Sequence, residues 1–349
     1  MASYLGDESS CTLCIAGAGI IGLSLALEMA ARGATVTVLD AGPPLVQAST
    51  AAAGMLAAAD PENPLQLAPL AGLSLSLYPV FLNRIRQISG IAVPIQTTRT
   101  LQALPPHHTN THPVLTAAEL TTMVPALATG TNRFLTLTED SLDPRQLAAA
   151  LLTAVANAKV ILHANRPCLA AETGANSITI QTPTGPIRAE QFVDCTGAWA
   201  TSPRKGQMLY VLPPPGFSLN LALRTPDIYI VPRLTGPNAG RLLIGATIED
   251  AGFDTAPRTA DIESLRAKAS ALLPPLANAP IVESWAGLRP VTPDELPILG
   301  RIAPRHFIAS GHYRNGILLA PGTAQILADL LTDIPPAIDL SPYAPARFR

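Results

Sequence analysis

The chain has 349 residues, of which 48% are hydrophobic and 14% charged, and its formal net charge is −2. A chain of this length can bury a large core and is typical of two domains. The sequence contains no block of basic residues, so we do not expect it to bind nucleic acid. Glycine, proline or charge interrupts every apolar stretch before it reaches the width of a bilayer, and we expect no membrane span.

The four cysteines and the amino-terminal residues bear on the compartment. Cys11, Cys14, Cys168 and Cys195 lie in or beside stretches that are typical of buried strands. Cys11 and Cys14 have the spacing of a metal-binding pair, but no second pair matches them, and we interpret all four as structural thiols with no metal site. The first ten residues contain no lysine or arginine and do not match a secretory signal. We therefore expect the protein to be located in the reducing cytoplasm.

The first predicted unit is a βαβ unit with a glycine-rich turn. Residues 13–16 form an apolar run that predicts a buried strand, the turn reads GAGIIG over 17–22, and apolar residues recur at helical spacing as far as residue 31. A second apolar run, over 35–39, ends at Asp40. This order of strand, glycine turn, helix, strand and acid is the context in which the dinucleotide fingerprint occurs.

Each part of this turn has a physical role in binding a dinucleotide. Gly17 allows the tight turn, Gly19 lets the backbone approach a pyrophosphate, and Gly22 lets the helix pack closely on the strand. The free N–H groups at the start of the helix hold the diphosphate. Asp40 is placed to accept hydrogen bonds from a ribose diol, and an acid there disfavours a 2′-phosphate ligand. The other turn residues expected at the cofactor are Ala18, Ile20 and Ile21.

The next stretch is rich in small side chains. Residues 49–57 read STAAAGMLA, which allows another molecule to lie against the backbone but is equally compatible with an ordinary flexible loop. A helical pattern follows over 64–88, where we expect Pro69 and Pro79 to bend or divide the helix. Residues 91–104 alternate as a strand, Thr116 begins a short helix with a capping-box pattern, and residues 134–138 predict another strand.

A strong helix start marks the middle of the chain. Asp143 is typical of an N-cap and Pro144 of a first helical position, and the helix is predicted to continue to residue 157. Four strands follow, over 160–163, 168–172, 177–182 and 187–195, with the middle two as a hairpin. The last strand ends in a second glycine turn, TGAW over 196–199. Open α/β sheets bind ligands at such strand ends.

The pattern changes after residue 206. Closely spaced strands over 208–212, 219–223, 228–231 and 242–244 indicate an antiparallel sheet and hence a separate unit. A helix is predicted over 260–273 and a strand over 307–309. An apolar helix over 317–331 has Gly316 at its start, and the proline-rich residues after it are predicted to be a loose tail.

These motifs together resemble one family. They are similar to motifs of the D-amino-acid oxidase (DAO) family of FAD flavoproteins, and most similar to its branch that oxidises glycine for the thiazole of thiamine. The resemblance covers the chain from residue 11 to about residue 331. The motifs that carry it, beyond the first glycine turn, are the loop at 49–55, TGAW at 196–199, KGQ at 205–207, YIVPR at 229–233, GLRP at 287–290 and GHYRNGILLA at 311–320.

The resemblance implies both the fold and the cofactor. The fold is of the α/β (α+β) class, with a Rossmann-like FAD-binding domain assembled from residues 10–85, 140–205 and 285–332. A mainly antiparallel substrate-binding domain, from residues 86–139 and 206–284, is inserted into it, and residues 333–349 form the tail. FAD is implied to bind without a covalent link, which agrees with the absence of cysteine after Cys195. The further cofactor-binding residues implied are Ser49, Thr50, Ala51, Ala53, Gly54, Met55, Thr196, Gly197, Trp199, Gly287, Arg289, His312, Arg314, Asn315, Gly316, Ile317 and Leu318.

The resemblance also implies a site that grips its substrate. The α-hydrogen leaves as hydride to flavin N5, so no base on carbon is required, and His312 is interpreted as structural. Arg289 is the leading carboxylate clamp because its planar fork matches a carboxylate, although a surface salt bridge is the alternative. Tyr229 and Arg314 match further residues near the substrate and, with Arg289, are the candidate catalytic residues. The helix start at Gly316 would stabilise negative charge on the reduced flavin by about 0.3–2 kcal/mol.

Two positions at the predicted pocket, Asp227 and Ile248, depart from the family pattern. Ile248 is expected to bind substrate, and Asp227 either admits an amine-bearing substrate or faces solvent. The connection from Trp199 to Lys205 is also shorter than expected. Substrate preference is therefore left open.

The predicted function is oxidative deamination of glycine, sarcosine or small D-amino acids to 2-oxo acids, ammonia and hydrogen peroxide, with dioxygen as the oxidant. The first alternative is a dehydrogenase of the same fold that passes electrons to a quinone or a carrier protein. A non-catalytic flavin-binding protein and a nicotinamide dehydrogenase are the others. The sequence leaves open a homo-oligomer of two or four copies.

Overall fold

The computed structural model describes residues 10–104 and 113–348. Residues 1–9, on which the expectation about a secretory signal rests, and residue 349 lie outside the described residues. The helices in the described part are α1 (Ile20–Ala31), α2 (Ala48–Ala51), α3 (Ala68–Ser89), α4 (Ala117–Met123), α5 (Pro144–Asn157), α6 (Thr259–Leu272) and α7 (Gly316–Leu331). The strands there are β1 (Ser10–Ala16), β2 (Val36–Leu39), β3 (Ile95–Thr97), β4 (Thr100–Leu104), β5 (Arg133–Leu137), β6 (Ser141–Leu142), β7 (Ile161–His163), β8 (Ala170–Thr173), β9 (Ile178–Gln181), β10 (Ile187–Asp194), β11 (Ser202–Val211), β12 (Ala222–Arg224), β13 (Tyr229–Pro232), β14 (Leu242–Gly245), β15 (Ile281–Val291), β16 (Ile298–Ala303) and β17 (His306–Ser310).

The first sheet contains the βαβ unit and is largely parallel. In the described residues it has eight strands, with the order β16-β17-β10-β1-β2-β7 and the β8–β9 hairpin attached to β10. Strand β1 pairs in parallel with both β2 and β10, and β10 pairs in parallel with β17. The carboxyl ends of these four strands therefore meet at one edge, where Gly17, Asp40 and Cys195 follow β1, β2 and β10. Both glycine turns predicted from the sequence lie at this edge.

Both faces of this sheet are covered, which explains why its strands are continuous apolar runs. Leu13 and Ile15 of β1 pack into the layer formed by α1, α3, α5 and α7. The alternate residues, Cys14 and Ala16, pack with Ile178 of β9 and other apolar residues on the opposite face. All four cysteines are free thiols, and Cys14 and Cys195 are buried.

The second sheet is mainly antiparallel, as predicted, and in the described residues has seven strands in the order β15-β11-β14-β13-β12-β4-β5. Only the β12–β4 pair in it is parallel. Leu209, Ile230 and Ile244 on one face pack with Leu265 and other residues of α6. The other face faces the end of the first sheet, so that it can close a site from the opposite side. The mixed α/β fold class is confirmed.

Several sequence predictions need correction. The single strand expected over 91–104 is two short strands in different sheets, because β3 pairs with β6 whereas β4 pairs with β12 and β5. Pro79 does not divide its helix: α3 continues through it, and Pro79 is exposed. The proposed domain boundaries after residue 205 and before residue 285 fall inside β11 and β15, which run from one predicted unit into the other. The division into two units stays a prediction.

The described part of the carboxyl-terminal tail is packed rather than loose. The side chain of Tyr343 is fully buried, and its hydroxyl donates a hydrogen bond of 2.6 Å to the Gln66 carbonyl. Arg347 forms an ion pair of 2.7 Å with Asp294. These contacts join residues that are far apart in the sequence. A prediction based on local proline content cannot detect them.

One helical segment of the described residues, Leu65–Ser89, is long and apolar enough to cross a membrane by length and composition. Its inner face lies in the protein core. Ser74 Oγ donates a hydrogen bond of 2.6 Å to the Leu318 carbonyl, and the Tyr78 hydroxyl donates one to the Ile317 carbonyl. These polar contacts with α7 are those of a core helix.

Candidate active site

A cavity of about 600 Å³ lies between the carboxyl edge of the first sheet and the second sheet. It brings together most of the residues singled out from the sequence. The predicted residues that line it are Gly17, Gly19, Ile20, Ile21, Asp40, Ser49, Ala51, Ala53, Gly54, Met55, Thr196, Gly197, Trp199, Tyr229, Gly287, Arg289, His312, Arg314, Asn315, Gly316 and Ile317. The predicted residues outside the lining are Ala18, Gly22, Thr50, Ile248 and Leu318.

The first glycine turn leaves no room for side chains at Gly17 and Gly22. Gly17 has φ of +102°, and a Cβ there would lie 2.3 Å from the Cys195 carbonyl oxygen. A Cβ on Gly22 would lie 2.0 Å from the Gly17 carbonyl oxygen, so Gly22 packs the helix against the turn instead of lining the cavity. The amides of Ala18 and Gly42 donate to the two carboxylate oxygens of Asp40 at 2.7 and 2.9 Å. Each of these oxygens keeps a second lone pair that can accept from a ligand.

The small-residue stretch packs between the two sheets. Ser49 Oγ accepts a hydrogen bond of 2.9 Å from the Ile20 amide at the start of α1. The Ala51 carbonyl accepts one of 3.1 Å from Trp285 Nε1, and a Cβ on Gly287 would lie 2.5 Å from the Ala51 Cβ. Thr50 is turned away from the cavity because its hydroxyl donates to the Leu45 carbonyl. The stretch is therefore packed against both sheets, and the expectation that another molecule lies against its backbone stays a prediction.

The second glycine turn is held by its own neighbours. Asp194 Oδ1 accepts hydrogen bonds of 2.9 and 2.7 Å from the amide and the hydroxyl of Thr196. Ser310 Oγ donates a hydrogen bond of 2.9 Å to the Gly197 carbonyl. Trp199 lies at the cavity rim, 57% exposed, with its ring centroid 5.2 Å from that of Phe253. The turn therefore lines the cavity mainly with backbone.

Arg289 projects from β15 into the cavity without an acidic partner. Its Nη1 donates to the Thr247 carbonyl at 3.1 Å and to the Lys205 carbonyl at 3.4 Å. The guanidinium lies over Gly206, where a Cβ would approach its nitrogens to 2.3 Å. No carboxylate of the described residues lies within ion-pair distance of it, so the surface salt bridge considered from the sequence is absent there. The fork keeps donors for a ligand carboxylate.

Tyr229 lies beside Arg289. Burial raises the pKa of its hydroxyl, and the charge of Arg289 and a side-chain hydrogen bond to it act in the opposite direction. Gly245, opposite Tyr229 in the β13–β14 pair, makes room for it, since a Cβ there would lie 2.7 Å from the Tyr229 oxygen. Tyr229 thus stays neutral at physiological pH and can donate a hydrogen bond.

Arg314 differs from Arg289 because acids already hold it. Its Nη1 lies 2.6 Å from Glu62 Oε2, and its Nη2 lies 3.8 Å from Asp60 Oδ2. Arg314 lines the cavity, but a second carboxylate would have to share this guanidinium with Glu62.

His312 is buried, and burial lowers its pKa to about 3. Its Nε2 lies 3.0 Å from Thr323 Oγ1 on α7. A neutral imidazole bonded within the fold is what the structural interpretation of His312 predicts.

The amino terminus of α7 faces the cavity through Gly316 and Ile317. Leu318 is fully buried behind them. Asn315 Nδ2 donates a hydrogen bond of 2.9 Å to Asn63 Oδ1, and this contact holds the residue that precedes the helix. The first-turn N–H groups of a helix have no acceptor within the helix itself.

Comparison with known proteins identifies the family. The family model described as "FAD dependent oxidoreductase" (DAO) matches residues 12–330. The chain belongs to the DAO family. FAD dependence and the oxidoreductase class are thereby confirmed.

Individual relatives give the same result. Glycine oxidase of Pseudomonas aeruginosa is 32% identical over 95% of this chain and 98% of its own length. The "Bifunctional protein ThiO/ThiG" of Nostoc sp. is 36% identical over 91% of this chain, which spans 52% of that relative. The crystal structure of glycine oxidase from Geobacillus kaustophilus superposes with a TM-score of 0.89 at 31% identity, covering 96% of this chain and 98% of that one. Family and relatives together support FAD-dependent amino-acid oxidation.

The DAO cofactor fits the cavity on physical grounds. Gly17 and Gly287 keep it open where a side chain would fill it or displace its wall. Asp40, the α1 start, the Thr196 turn and the α7 start all line it. These residues would hold the adenosine ribose, the diphosphate and the flavin. The assignment of each residue to a part of FAD stays a prediction.

Sequence reasoning also missed residues of this cavity. Met208, Arg224 and Asp60 line it, and none of them was singled out. Arg224 and Tyr229 are directly paired between β12 and β13, so strand register was the signal that could have found Arg224. Conversely, Ile248 is 58% exposed and outside the cavity, and the Asp227 carboxylate is 76% exposed and 3.9 Å from Lys268 Nζ. Both lie toward solvent.

Proposed function

We propose that this chain catalyses the FAD-dependent oxidative deamination of glycine, sarcosine or small D-amino acids. The observation that carries the proposal is Arg289, a cavity guanidinium held by backbone carbonyls and lacking an acid within ion-pair distance in the described residues. A substrate carboxylate would complete its hydrogen bonding. The names of the glycine oxidase relatives support the substrate class.

The clamp orients the substrate in this proposal. Arg289 binds the carboxylate through two parallel N–H donors, and the Tyr229 hydroxyl donates a further hydrogen bond. Two points of attachment fix the rotation of the carboxylate and so set the direction in which the α-carbon presents its hydrogen. Gly206 and Gly245 permit this arrangement because side chains there would occupy the space of Arg289 and Tyr229.

No residue of the cavity is required as a base on carbon. FAD, when bound, supplies the acceptor for the hydride that leaves the α-carbon. The substrate loses two electrons and two protons overall, giving an imino acid that water hydrolyses to the 2-oxo acid and ammonia, or to the 2-oxo acid and methylamine when the substrate is sarcosine. Dioxygen takes up both electrons and both protons as hydrogen peroxide. His312 takes no part as a base because it is bonded to Thr323 inside the core.

The start of α7 has an electrostatic role in the proposal. The amino terminus of a helix stabilises a nearby anion by about 0.3–2 kcal/mol. Gly316 and Ile317 bring this positive end to the cavity wall. It would favour electron uptake by holding the negative charge that develops there.

A peroxide assay tests the proposal. Holoenzyme in air-saturated buffer is given glycine, sarcosine and each small D-amino acid, with L-alanine as the control. We expect peroxide in equal amount to the 2-oxo acid formed. Anaerobic bleaching of the flavin without aerobic peroxide would instead indicate a dehydrogenase with a quinone or protein acceptor. Failure of every amino acid to bleach the flavin would contradict the proposal.

A further inference from the structure

Arg224 is a second cationic residue of the cavity that the carboxylate clamp does not use. It ends β12, lines the cavity and is only 5% exposed. It is paired directly with Tyr229 of β13 in the antiparallel register. Side chains of directly opposed residues share a face of the sheet, with Cβ atoms about 4.5–5.5 Å apart. Arg224 is therefore the neighbour of the tyrosine that hydrogen-bonds to Arg289.

The guanidinium of Arg224 is incompletely bonded. Its Nε donates to Gln102 Oε1, and its Nη2 forms an ion pair of 3.1 Å with Glu139 Oε2. Its Nη1 is buried without a hydrogen-bond partner, and the nearest acid oxygen, Asp60 Oδ2, is 3.7 Å away. That distance exceeds hydrogen-bonding range. A buried charged donor left in this way is costly unless a ligand satisfies it.

None of the charged residues described at this end of the cavity forms a hydrogen bond with Arg224 Nη1. Arg224, Arg289 and Arg314 line the wall together with one acid, Asp60, while Glu139 and Glu62 pair with Arg224 and Arg314 from outside the lining. Asp60 forms long ion pairs with two of these arginines, at 3.7 Å from Arg224 and 3.8 Å from Arg314, and both distances exceed hydrogen-bonding range. Of the remaining acids, Glu139 is buried outside the lining and Glu62 is 47% exposed. With one carboxylate on Arg289, Arg224 Nη1 would still be a buried donor without a hydrogen-bond acceptor among the described residues.

We propose that Arg224 binds a second carboxylate of the substrate, so that the site prefers amino acids that carry an additional acidic group. This inference rests on the proposed function, because Arg289 must hold the α-carboxylate for Arg224 to receive the other one. Under it, glycine is a minimal substrate that leaves the Arg224 position unfilled. Arg224 acts in specificity and takes no part in the transfer of hydride.

The test compares two substrates that differ only in charge. D-aspartate and D-asparagine have nearly the same shape, and each is used to reduce the flavin of the holoenzyme anaerobically. We expect D-aspartate to be favoured in apparent affinity by roughly 10- to 100-fold, the range of a hydrogen bond between charged groups. Arg224→Gln should bring the ratio near one. Arg224→Lys should give an intermediate ratio, because it keeps the charge but loses the fork.

A matched control is Arg266→Gln. Arg266 is on α6, against the opposite face of the same sheet, where it pairs with Glu263. This variant removes the same charge from the helix layer on the far side of the sheet and should keep the wild-type ratio. If Arg224→Gln fails to retain FAD, the Arg224→Lys ratio decides.

Three results would overturn the inference. One is equal affinity of the wild type for D-aspartate and D-asparagine, and another is an unchanged ratio in an Arg224 variant that binds FAD. The third is a preference for D-ornithine, which would assign recognition to Asp60.

If no amino acid reduces the flavin, the proposed function fails, and succinate is compared with its monoamide by the shift that each causes in flavin absorbance. Tighter binding of succinate that Arg224→Gln abolishes would support Arg224 as an anion site, whereas equal binding would refute it.

Discussion

The individual side chains of the cavity differ in whether the protein itself satisfies them. Arg314 and His312 have partners within the fold, Glu62 and Thr323 respectively. Arg289 has only backbone carbonyls and the Tyr229 hydroxyl. The sequence motifs identified all three positions, and the family resemblance ranked Arg289 as the clamp and His312 as structural. The partner of each side chain could not be predicted, because a motif does not show what lies opposite a side chain.

Replacing Arg289 tests the clamp. Arg289→Ala should raise the KM for glycine or sarcosine by roughly 10- to 100-fold, since a charged hydrogen bond of about 1.5–3 kcal/mol is lost. FAD should stay bound, because the glycine turn and Asp40 lie elsewhere along the cavity. Steady-state kinetics and the flavin spectrum measure the two effects. Arg289→Lys is the control and should recover part of the affinity, while kinetics unchanged in Arg289→Ala would remove Arg289 from the site.

The buried imidazole of His312 gives a pH-dependent stability. Its pKa is lowered to about 3. Between about pH 6.5 and pH 3, the unfolded chain therefore binds a proton that the native protein does not. The free energy of unfolding must then fall as the pH falls through this window, by about 1.4 kcal/mol per unit. Urea unfolding of the holoprotein at pH 7.5 and pH 5.5 should show a smaller loss in His312→Gln than in the wild type. Equal losses in the two proteins would contradict the burial of a neutral His312.

At the scale of elements, local signals were sufficient where a cap or a turn defines a boundary. Asp143 caps α5, Thr116 and Glu119 form the capping box of α4, and the glycine turn opens α1. The break between β3 and β4 was missed because it depends on which distant strands they meet. For the same reason, Ile248 was expected in the pocket and Arg224 was not considered. Strand register places Arg224 opposite Tyr229, and register is not visible in one strand alone, whereas Ile248 lies in the segment after β14.

The turn between β1 and α1 can be tested by adding a side chain. Gly17→Val should abolish FAD binding, because its Cβ would meet the Cys195 carbonyl at 2.3 Å and its φ is +102°. The absorbance spectrum of the purified variant measures bound flavin. Gly72→Ala is the control, since a Cβ there meets nothing within 4 Å and lies in helix α3. The control should keep FAD and gain about 0.4–1 kcal/mol of stability.

For the whole molecule, the two sheets form a single structure around the cavity. Strand β15 carries Arg289 and also contacts the loop at Ala51, and the carboxyl-terminal segment is anchored to the residues before α3 through Tyr343 and Gln66. Local strand and helix patterns predicted the two large sheets correctly, but not the two-stranded β3–β6 sheet of the described residues. The proline content of the tail was misleading, since a single buried aromatic side chain outweighs the surrounding prolines.

The anchoring of the carboxyl-terminal segment is measurable as stability. Tyr343→Ala should lower the free energy of unfolding by about 3–5 kcal/mol, as expected for deleting a fully buried aromatic ring. Tyr343→Phe isolates the hydrogen bond to Gln66 and should cost about 1 kcal/mol. Chemical denaturation gives both values. A loss below 1 kcal/mol in Tyr343→Ala would mean that the segment is not part of the cooperative fold.

The contact of Ala51 with Gly287 has a consequence for how the two ligands of this protein influence each other. One wall residue belongs to the loop beside the cofactor and the other to the strand that bears the carboxylate clamp. Binding affinities that are coupled through a shared wall must be coupled equally in both directions. A carboxylic acid that cannot be oxidised, such as acetate or propionate, should therefore tighten FAD binding by the same factor by which FAD tightens binding of the acid. Adding such an acid during purification should slow the loss of bound FAD, seen as the yellow colour of the protein, and should raise the melting temperature of the holoprotein.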